Sequence, residues 1–224
     1  IGIGHVTRCL TLARQMRVFG ASCRFICREL PGNMIAHIGE CGFQVAILSN
    51  ERSPCGLDDW QIDAEKTCIA LTSEATDLLV VDHYLLDFKW ETVLRKMSRH
   101  IMVIDDLANR SHDCDILLDQ NFYQNCSQRY RDLVPENCIA LLGPQYVLLR
   151  DEFVKARENL RVRNGRVQRI LIFFGGSDPK NQTMVVLEAL VVLQRFDLKV
   201  DVVVGSSSEY RLEIQEQCSR LPNM

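Results

Sequence analysis

The chain has 224 residues, of which 47% are hydrophobic and 25% are charged, and its formal net charge is −3. This composition is typical of a soluble globular protein with one large or two smaller cores, and it excludes disorder as the main state. The small negative charge offers no basic surface for a phosphate backbone, so we expect no nucleic acid partner. Apolar runs stay below the roughly 20 residues of a membrane-spanning helix, so we expect no membrane partner either.

Ten cysteines are scattered along the chain, and no two of them form a C-x-x-C pair. A structural zinc site is therefore not predicted. We interpret most of these thiols as small core residues of a protein in the reducing cytoplasm, the compartment that we expect for it.

The first half of the chain alternates between helical and strand-like patterns. Apolar residues recur at helical spacing from Val6 to Phe19, and Gly20 follows as a stop, so a helix is predicted to begin near His5. Further helices are predicted at residues 34–41 and 62–74, and strands at residues 23–27, 44–48, 78–82, 101–105, 116–119 and 139–143. Continuous apolar runs that end in a carboxylate are typical of buried parallel strands.

This order of elements predicts an α/β fold with two Rossmann-like lobes. We expect an N-terminal lobe over residues 1–150, a charged connector of helical pattern over 151–166 and part of a nucleotide-binding lobe over 167–224. We also expect the sequence to lack the first strand of the first lobe and the remainder of the second lobe. The 224-residue chain by itself is therefore expected to be inactive.

The first glycine-rich turn contains Gly2 and Gly4 and is followed at once by His5. Backbone N–H groups at such a turn can face a ligand, and the positive end of the helix dipole favours the neutral imidazole that a general base requires. A polar helix cap is an equally good interpretation of His5. Arg8 lies three residues further on nearly the same helical face, where it can bind an anion, orient an acid or remain a surface residue.

Polar side chains follow two of the predicted strands. Asp82 and Tyr84 come after one strand, and the Asp105–Asp106 pair comes after the next. These groups are predicted to reach the carboxyl edge of the sheet, where ligands bind. Helix capping is an alternative role for each aspartate, and Asp105–Asp106 is also open to a metal or an acid/base interpretation.

A second glycine-rich turn lies between a predicted strand at residues 170–174 and a predicted helix at 183–196, and a further strand is predicted at 199–204. Gly175 and Gly176 permit close approach of the backbone to a ligand, and Ser177 and Asp178 are available as caps. The turn suits phosphate or sugar binding, although glycines here can also serve only to make it tight.

Six segments together resemble the UDP-2,4-diacetamido-2,4,6-trideoxy-β-L-altropyranose hydrolases of pseudaminic acid biosynthesis. They are GIGHVTRCL at residues 2–10, VVDHY at 80–84, IDDLA at 104–108, LLDQN at 117–121, LGPQYVLLR at 142–150 and FGGSDPKN at 174–181. Each segment is a weak signal alone, but their order and combination are specific.

The resemblance implies a glycosyltransferase-B-like fold that hydrolyses a UDP-sugar, with His5 as the catalytic base and no cofactor or metal. The substrate-binding residues that we predict are Gly2, Gly4, Arg8, Asp82, Tyr84, Arg150, Gly175, Gly176, Ser177, Asp178 and Asn181. A UDP-sugar partner and a monomeric state are expected. The alternatives are a glycosyltransferase of the same fold and a non-catalytic protein that binds nucleotide-sugars.

Overall fold

The structure is a computed structural model that describes residues 3–49, 59–72, 75–160, 162–194, 197–206 and 208–220. The chain separates into two compact units, Ile1–Glu158 and Asn159–Met224. Both units combine parallel strands with helices, which confirms the predicted α/β fold class. Within the described ranges, no helix has the length and apolar character needed to cross a membrane.

The first unit contains five helices and six strands among the described residues. The helices are α1 (Ile3–Val18), α2 (Ile35–Glu40), α3 (Asp59–Leu71), α4 (Phe88–Leu94) and α5 (Asp151–Glu158). The strands are β1 (Arg24–Arg28), β2 (Gln44–Leu48), β3 (Thr76–Val81), β4 (Ser98–Ile104), β5 (Ile116–Asp119) and β6 (Ile139–Leu142). Short 3-10 helices occupy Cys126–Gln128 and Pro144–Tyr146.

The strands of the first unit form two parallel sheets. Strands β1 and β2 pair with each other, and the second sheet has the order β3-β4-β5-β6. In the second sheet Leu79 lies opposite Ile101, and Leu118 lies opposite Leu141. Because all four strands are parallel, their carboxyl ends meet at one edge, where the polar residues after β3, β4 and β5 are gathered.

Alternate residues of β4 supply the cores on the two faces of the larger sheet. Ile101 and Val103 join one buried cluster that also contains Trp90 and Leu94 of α4. Met102 and Ile104 join another cluster, against which Cys9 and Leu12 of α1 pack. Burial on both faces explains why the strands read as continuous apolar runs, and it fixes α1 across the sheet.

The main differences from the sequence prediction concern three helices. Helix α3 spans Asp59–Leu71, whereas 62–74 was predicted; residues 73 and 74 lie outside the described residues. Helix α4 was not predicted. Asp87 caps it by accepting a hydrogen bond from the Lys89 N–H at 3.0 Å. The pattern at 151–166 is helical only as far as Glu158. A turn follows, in which the Asn164 side chain accepts a hydrogen bond from the Arg166 N–H, and this turn is incompatible with a continued helix.

The second unit contains strands β7 (Arg169–Ile172) and β8 (Lys199–Val202) and helices α6 (Gln182–Leu193) and α7 (Arg211–Ser219). The two strands are parallel. Their core joins Ile172 and Val200 to Leu187 of α6 and Ile214 of α7. The predicted strand–turn–helix–strand order is confirmed here, although residues 195 and 196 of the predicted helix lie outside the described residues.

Candidate active site

The first turn of α1 and the end of β3 form one polar cluster. The Asp82 side chain, only 4% exposed, lies 2.6 Å from His5 through its Oδ1 atom and the Nδ1 atom of the ring. Arg8 donates to the same carboxylate twice, from Nε to Oδ2 at 2.7 Å and from Nη2 to Oδ1 at 2.5 Å. His5 and Arg8 reach Asp82 together because they lie three residues apart on one helical face.

The pairing with Asp82 determines which nitrogen of His5 carries the proton. Two groups approach His5 Nδ1: Asp82 Oδ1 at 2.6 Å, which can only accept a hydrogen bond, and Arg8 Nη2 at 3.1 Å, which can only donate one. The carboxylate is the closer partner, so we assign the proton of a neutral His5 ring to Nδ1. The Nε2 atom is then left as a proton acceptor. An imidazole oriented in this way by a carboxylate has the arrangement of a general base.

Arg8 and Cys9 respond to the same carboxylate in different ways. The hydrogen bonds to Asp82 raise the pKa of Arg8 further above its usual range, so the guanidinium is permanently charged. Burial raises the pKa of the Cys9 thiol, and the negative charge of Asp82 raises it further. The Cys9 Sγ atom lies 3.4 Å from Asp82 Oδ2, and its protonated thiol is unsuited to act as a nucleophile at neutral pH.

Tyr84 borders the cluster on the exposed side. Its ring meets the His5 ring edge-on, with the centroids 4.7 Å apart, and its hydroxyl donates to Asp106 Oδ2 at 3.4 Å. Partial burial and this hydrogen bond raise the pKa of Tyr84, so its phenol is neutral at physiological pH. Burial lowers the pKa of the adjacent His83, whose Nδ1 atom accepts the Leu85 N–H at 3.1 Å.

The two aspartates after β4 have different surroundings. Asp105 is fully buried, and its Oδ2 atom accepts hydrogen bonds from the Ala108 N–H at 2.9 Å and the Tyr130 hydroxyl at 3.0 Å. Arg110 Nη1 lies 2.7 Å from Asp105 Oδ1, although outside the direction of a hydrogen bond. Asp105 therefore caps the turn that follows β4, which was one of its predicted roles. Asp106 instead contacts Tyr84.

Metal ligation at Asp105–Asp106 receives no support from the described residues. They contain no group of three or more His, Cys, Asp and Glu side chains that is arranged to hold a metal ion.

His112 and Asp115 lie close together in the sequence but do not pair with each other. The His112 Nδ1 atom lies 2.7 Å from Glu91 Oε1 inside the core, and both side chains are fully buried. Asp115 instead binds Arg95 and accepts the Ile101 N–H at 2.7 Å. The close approach of α4 to the loop before β5 brings Glu91 to His112, and periodicity alone does not reveal that contact.

The remaining predicted site residues of the first unit are Gly2, Gly4 and Arg150. Gly4 is exposed, with no neighbouring atom where a side chain would begin, and Gly2 lies outside the described residues. Arg150 pairs with Glu152 at 3.0 Å and lies over the Phe153 ring at 5.1 Å. Neither contact joins Arg150 to the cluster around His5.

In the second unit, Asp178 acts on helix α6. Its Oδ1 atom accepts the Gln182 N–H at 2.9 Å, and its Oδ2 atom accepts the Thr183 N–H at 2.9 Å and the Thr183 hydroxyl at 2.7 Å. Burial alone would raise the pKa of Asp178, but the hydrogen bonds from Thr183 and Gln182 outweigh it, and the net pKa is lowered. The carboxylate thus caps the helix, which was one of its predicted roles.

The other predicted residues of this turn differ in exposure and in backbone conformation. Ser177 is exposed, and Asn181 has a left-handed backbone (φ 50°) with a buried Oδ1 atom that accepts no hydrogen bond from the described residues. Gly175 has φ +83°, a conformation that favours glycine. Gly176 meets Gly205 so closely that a Cβ on Gly205 would overlap the Gly176 carbonyl.

A tyrosine and an arginine after β5 support the cluster, and neither was singled out from the sequence. The Tyr123 hydroxyl and Arg129 Nη2 both donate to the backbone carbonyl of Asp106, at 3.2 and 2.8 Å. Tyr123 also lines a cavity of about 350 Å³ at the ends of β5 and β6. The position of this segment after a strand that ends in Asp119 is the signal that would have placed it at the ligand-binding edge.

The fold and the cluster define a class: an α/β protein of parallel, Rossmann-like sheets, consistent with glycosyltransferase-B-like lobes, with a carboxylate-oriented histidine at the carboxyl edge of one sheet. No family model matches the chain. It is 29% identical, over its whole length and 72% of the relative's, to the UDP-2,4-diacetamido-2,4,6-trideoxy-β-L-altropyranose hydrolase of Campylobacter jejuni. This distant similarity supports a relationship to that hydrolase at the level of the family.

A second relative is an uncharacterised protein of Methanocaldococcus jannaschii. It is 27% identical over 98% of this chain, and the match spans 43% of the relative, less than half of its length. Because this relative is uncharacterised, its similarity gives no information about activity.

Proposed function

We propose that this chain carries the hydrolytic site of a UDP-sugar hydrolase. The substrate would be a UDP-linked 2,4-diacetamido-2,4,6-trideoxy sugar, and the products UDP and free 2,4-diacetamido-2,4,6-trideoxy-L-altrose. The observation that carries the proposal is the 2.6 Å contact between His5 Nδ1 and Asp82, which leaves Nε2 as the proton acceptor. The similarity to a hydrolase of that name supports the choice of substrate.

In the proposed reaction, His5 Nε2 removes a proton from water as the water oxygen bonds to the anomeric carbon. The bond from that carbon to the diphosphate oxygen breaks, and its electron pair leaves with UDP. Displacement from the opposite face inverts the anomeric configuration. Asp82 stabilises the imidazolium that forms, because its negative charge lies at hydrogen-bond distance from the ring.

The leaving group is a diphosphate, which needs stabilisation of negative charge more than protonation. Backbone N–H groups at the start of α1 and the permanently charged Arg8 are the groups of this cluster that can supply it. Tyr84, next to the His5 ring, is proposed to contact the sugar. The turn from Gly175 to Asp178, with Asn181, stays the predicted nucleotide-sugar-binding segment of the second unit.

The test is UDP release by the full-length protein supplied with the UDP-linked diacetamido sugar, without an acceptor and with a chelator present. His5→Ala is expected to lower kcat by about a hundredfold or more, the usual contribution of a general base. His37→Ala is the matched control, because this histidine is also helical but its side chain is 50% exposed. The control is expected to retain full activity.

Three outcomes oppose the proposal in different ways. UDP release that requires an added sugar acceptor would identify a transferase. Binding of the UDP-sugar without any release would identify a non-catalytic protein. Release that is unchanged in His5→Ala would show that another group is the base.

A further inference from the structure

Asp106 contacts two side chains of the cluster, Tyr84 and Arg8. Its Oδ2 atom accepts the Tyr84 hydroxyl at 3.4 Å and lies 3.6 Å from Arg8 Nη1. Arg8 directs Nε and Nη2 to Asp82, so Nη1 is the one guanidinium nitrogen that faces Asp106. One carboxylate oxygen thus touches both the phenol and the guanidinium.

The backbone of Asp106 is anchored independently of these contacts. Its carbonyl accepts hydrogen bonds from the Tyr123 hydroxyl and from Arg129 Nη2, and the Arg129 guanidinium lies 3.5 Å from the centroid of the Tyr123 ring. A side chain acts as a fixed support only if its own backbone is held in place. Tyr123 and Arg129, in the segment after β5, therefore fix the backbone that carries the Asp106 carboxylate.

We propose that Asp106 is a positioning residue that holds the Tyr84 phenol, and with it the Tyr84 ring, against His5 at the sugar-binding side of the cluster. This inference rests on the proposed function for the identity of the substrate. It assigns the second carboxylate of the Asp105–Asp106 pair a role in substrate binding that acts through Tyr84. Asp105, buried and capping its own turn, has no part in it.

The role predicts a separation of KM from kcat. Without Asp106 the Tyr84 hydroxyl loses its acceptor, while His5 keeps its contact with Asp82 and Arg8 keeps both of its hydrogen bonds to Asp82. Asp106→Ala is expected to raise KM for the UDP-sugar about threefold to tenfold, the effect of losing one orienting hydrogen bond, and to leave kcat within about twofold. Asp106→Asn retains an acceptor for the Tyr84 hydroxyl, so it is expected to restore most of the affinity.

A double-mutant cycle with Tyr84→Phe separates positioning from a general structural effect. Tyr84→Phe already lacks the hydroxyl that reaches Asp106, so adding Asp106→Ala is expected to raise KM no further. Effects that multiply would overturn the inference. So would a loss of kcat in Asp106→Ala as large as that in His5→Ala, because Asp106 would then act in the proton transfer itself.

A titration of Tyr84 gives a second readout that does not depend on turnover. With ¹³C-labelled tyrosine, and Tyr84→Phe to assign the signal, the ionisation of Tyr84 can be followed by NMR. Removing the Asp106 carboxylate is expected to lower the pKa of Tyr84 towards its ordinary value, because a negative hydrogen-bond acceptor is lost. Asp77→Asn, which alters an 83% exposed carboxylate, is the control and is expected to leave the titration unchanged.

The two readouts also distinguish failure of this inference from failure of the proposed function. If the full-length protein releases no UDP, the proposed function is wrong, and the titration still decides whether Asp106 holds Tyr84. An unchanged Tyr84 titration in both Asp106→Ala and Asp106→Asn would overturn the inference whatever the activity.

Discussion

At the scale of single residues, the cluster depends on one buried carboxylate that satisfies several donors. Asp82 accepts hydrogen bonds from His5, from two nitrogens of Arg8 and from Cys9. A buried charge is tolerated only when it is paired and its hydrogen-bonding capacity is used. The same contacts that make Asp82 tolerable inside the protein also orient His5, so its structural role and its proposed catalytic role are inseparable.

Replacing Asp82 with Asn tests this role. The amide has nearly the same shape, but its weaker acceptor no longer favours the His5 tautomer with the proton on Nδ1, and kcat is expected to fall by about a hundredfold or more. Steady-state UDP release measures the effect. Because Arg8 loses its charged partner, the assay is run at a temperature where circular dichroism shows the variant folded.

The combination with His5→Ala is the informative control. Residues that act as a unit are not additive, so the double variant is expected to be no slower than His5→Ala alone. Retention of more than about a tenth of the wild-type kcat by Asp82→Asn would contradict the proposed orientation of His5.

At the scale of elements, two contacts hold together segments that are distant along the chain. Glu91 of α4 accepts hydrogen bonds from the Asp113 N–H at 2.6 Å and from His112 at 2.7 Å, which ties this short helix to the loop before β5. In the second unit, the backbone of Gly176 after β7 meets Gly205 after β8. The first contact lies outside the proposed site, whereas the second includes Gly176 of the turn that is predicted to bind the nucleotide-sugar. Both contacts predict an effect on stability.

Glu91→Ala is expected to lower the free energy of unfolding by about 3 kcal/mol, since it leaves the buried His112 without its partner and removes the acceptor of the part-buried Asp113 N–H. Urea denaturation followed by circular dichroism measures the change. Glu65→Ala alters an exposed glutamate of helix α3 and is expected to change stability by less than about 0.5 kcal/mol. Equal effects of the two substitutions would contradict the buried pair.

Gly205→Ala is expected to destabilise the second unit by about 1–3 kcal/mol, because the added methyl group would overlap the Gly176 carbonyl and force the two backbones apart. The matched control is Gly39→Ala in helix α2, where a Cβ meets no atom within 4 Å. That change should be neutral or slightly stabilising, as alanine favours a helix. Urea midpoints of both variants test the contrast, and a neutral Gly205→Ala would refute the close approach.

At the scale of the whole molecule, acid is expected to destabilise both units. Burial would raise the pKa of Asp115, but the Ile101 N–H and Arg95 outweigh it, and the net pKa is lowered; the pKa of Asp178 is lowered as well. Arg169 holds the pKa of Asp201 below its usual range. A carboxyl with a lower pKa in the folded state binds fewer protons there than in the unfolded chain, so its stabilisation is lost as the pH falls.

The lowered pKa values of these three carboxyls define the pH range in which stability is lost. The contribution of these three groups is complete above the ordinary carboxyl range, about pH 4, and it disappears as the pH falls through their lower folded values. Urea midpoints between pH 7 and pH 2.5 measure it. Asp115→Asn is expected to be less stable at pH 7 and to show a smaller loss on acidification. A steeper loss in that variant would contradict the assignment.

Much of the architecture could be predicted from the chain because it is encoded in local patterns. Apolar runs at residues 101–105 and 116–119 indicated strands buried on both faces, and the structure confirms them as β4 and β5. The short helix α4 was missed, since its seven residues contain too few turns for a clear period. The predicted role of His5 as a base and the predicted substrate contacts stay predictions.

What the sequence by itself determined is the type and order of the elements and the edge of the sheet at which the polar residues gather. These depend on the spacing of apolar side chains over a few residues. Only the tertiary structure decided the partners of each carboxylate: Asp82 meets His5 across 77 positions of sequence, and Asp106 meets Tyr84 while its neighbour Asp105 turns inward to Tyr130. Such pairings depend on how helices and strands pack against one another, and packing is a property of the folded chain as a whole.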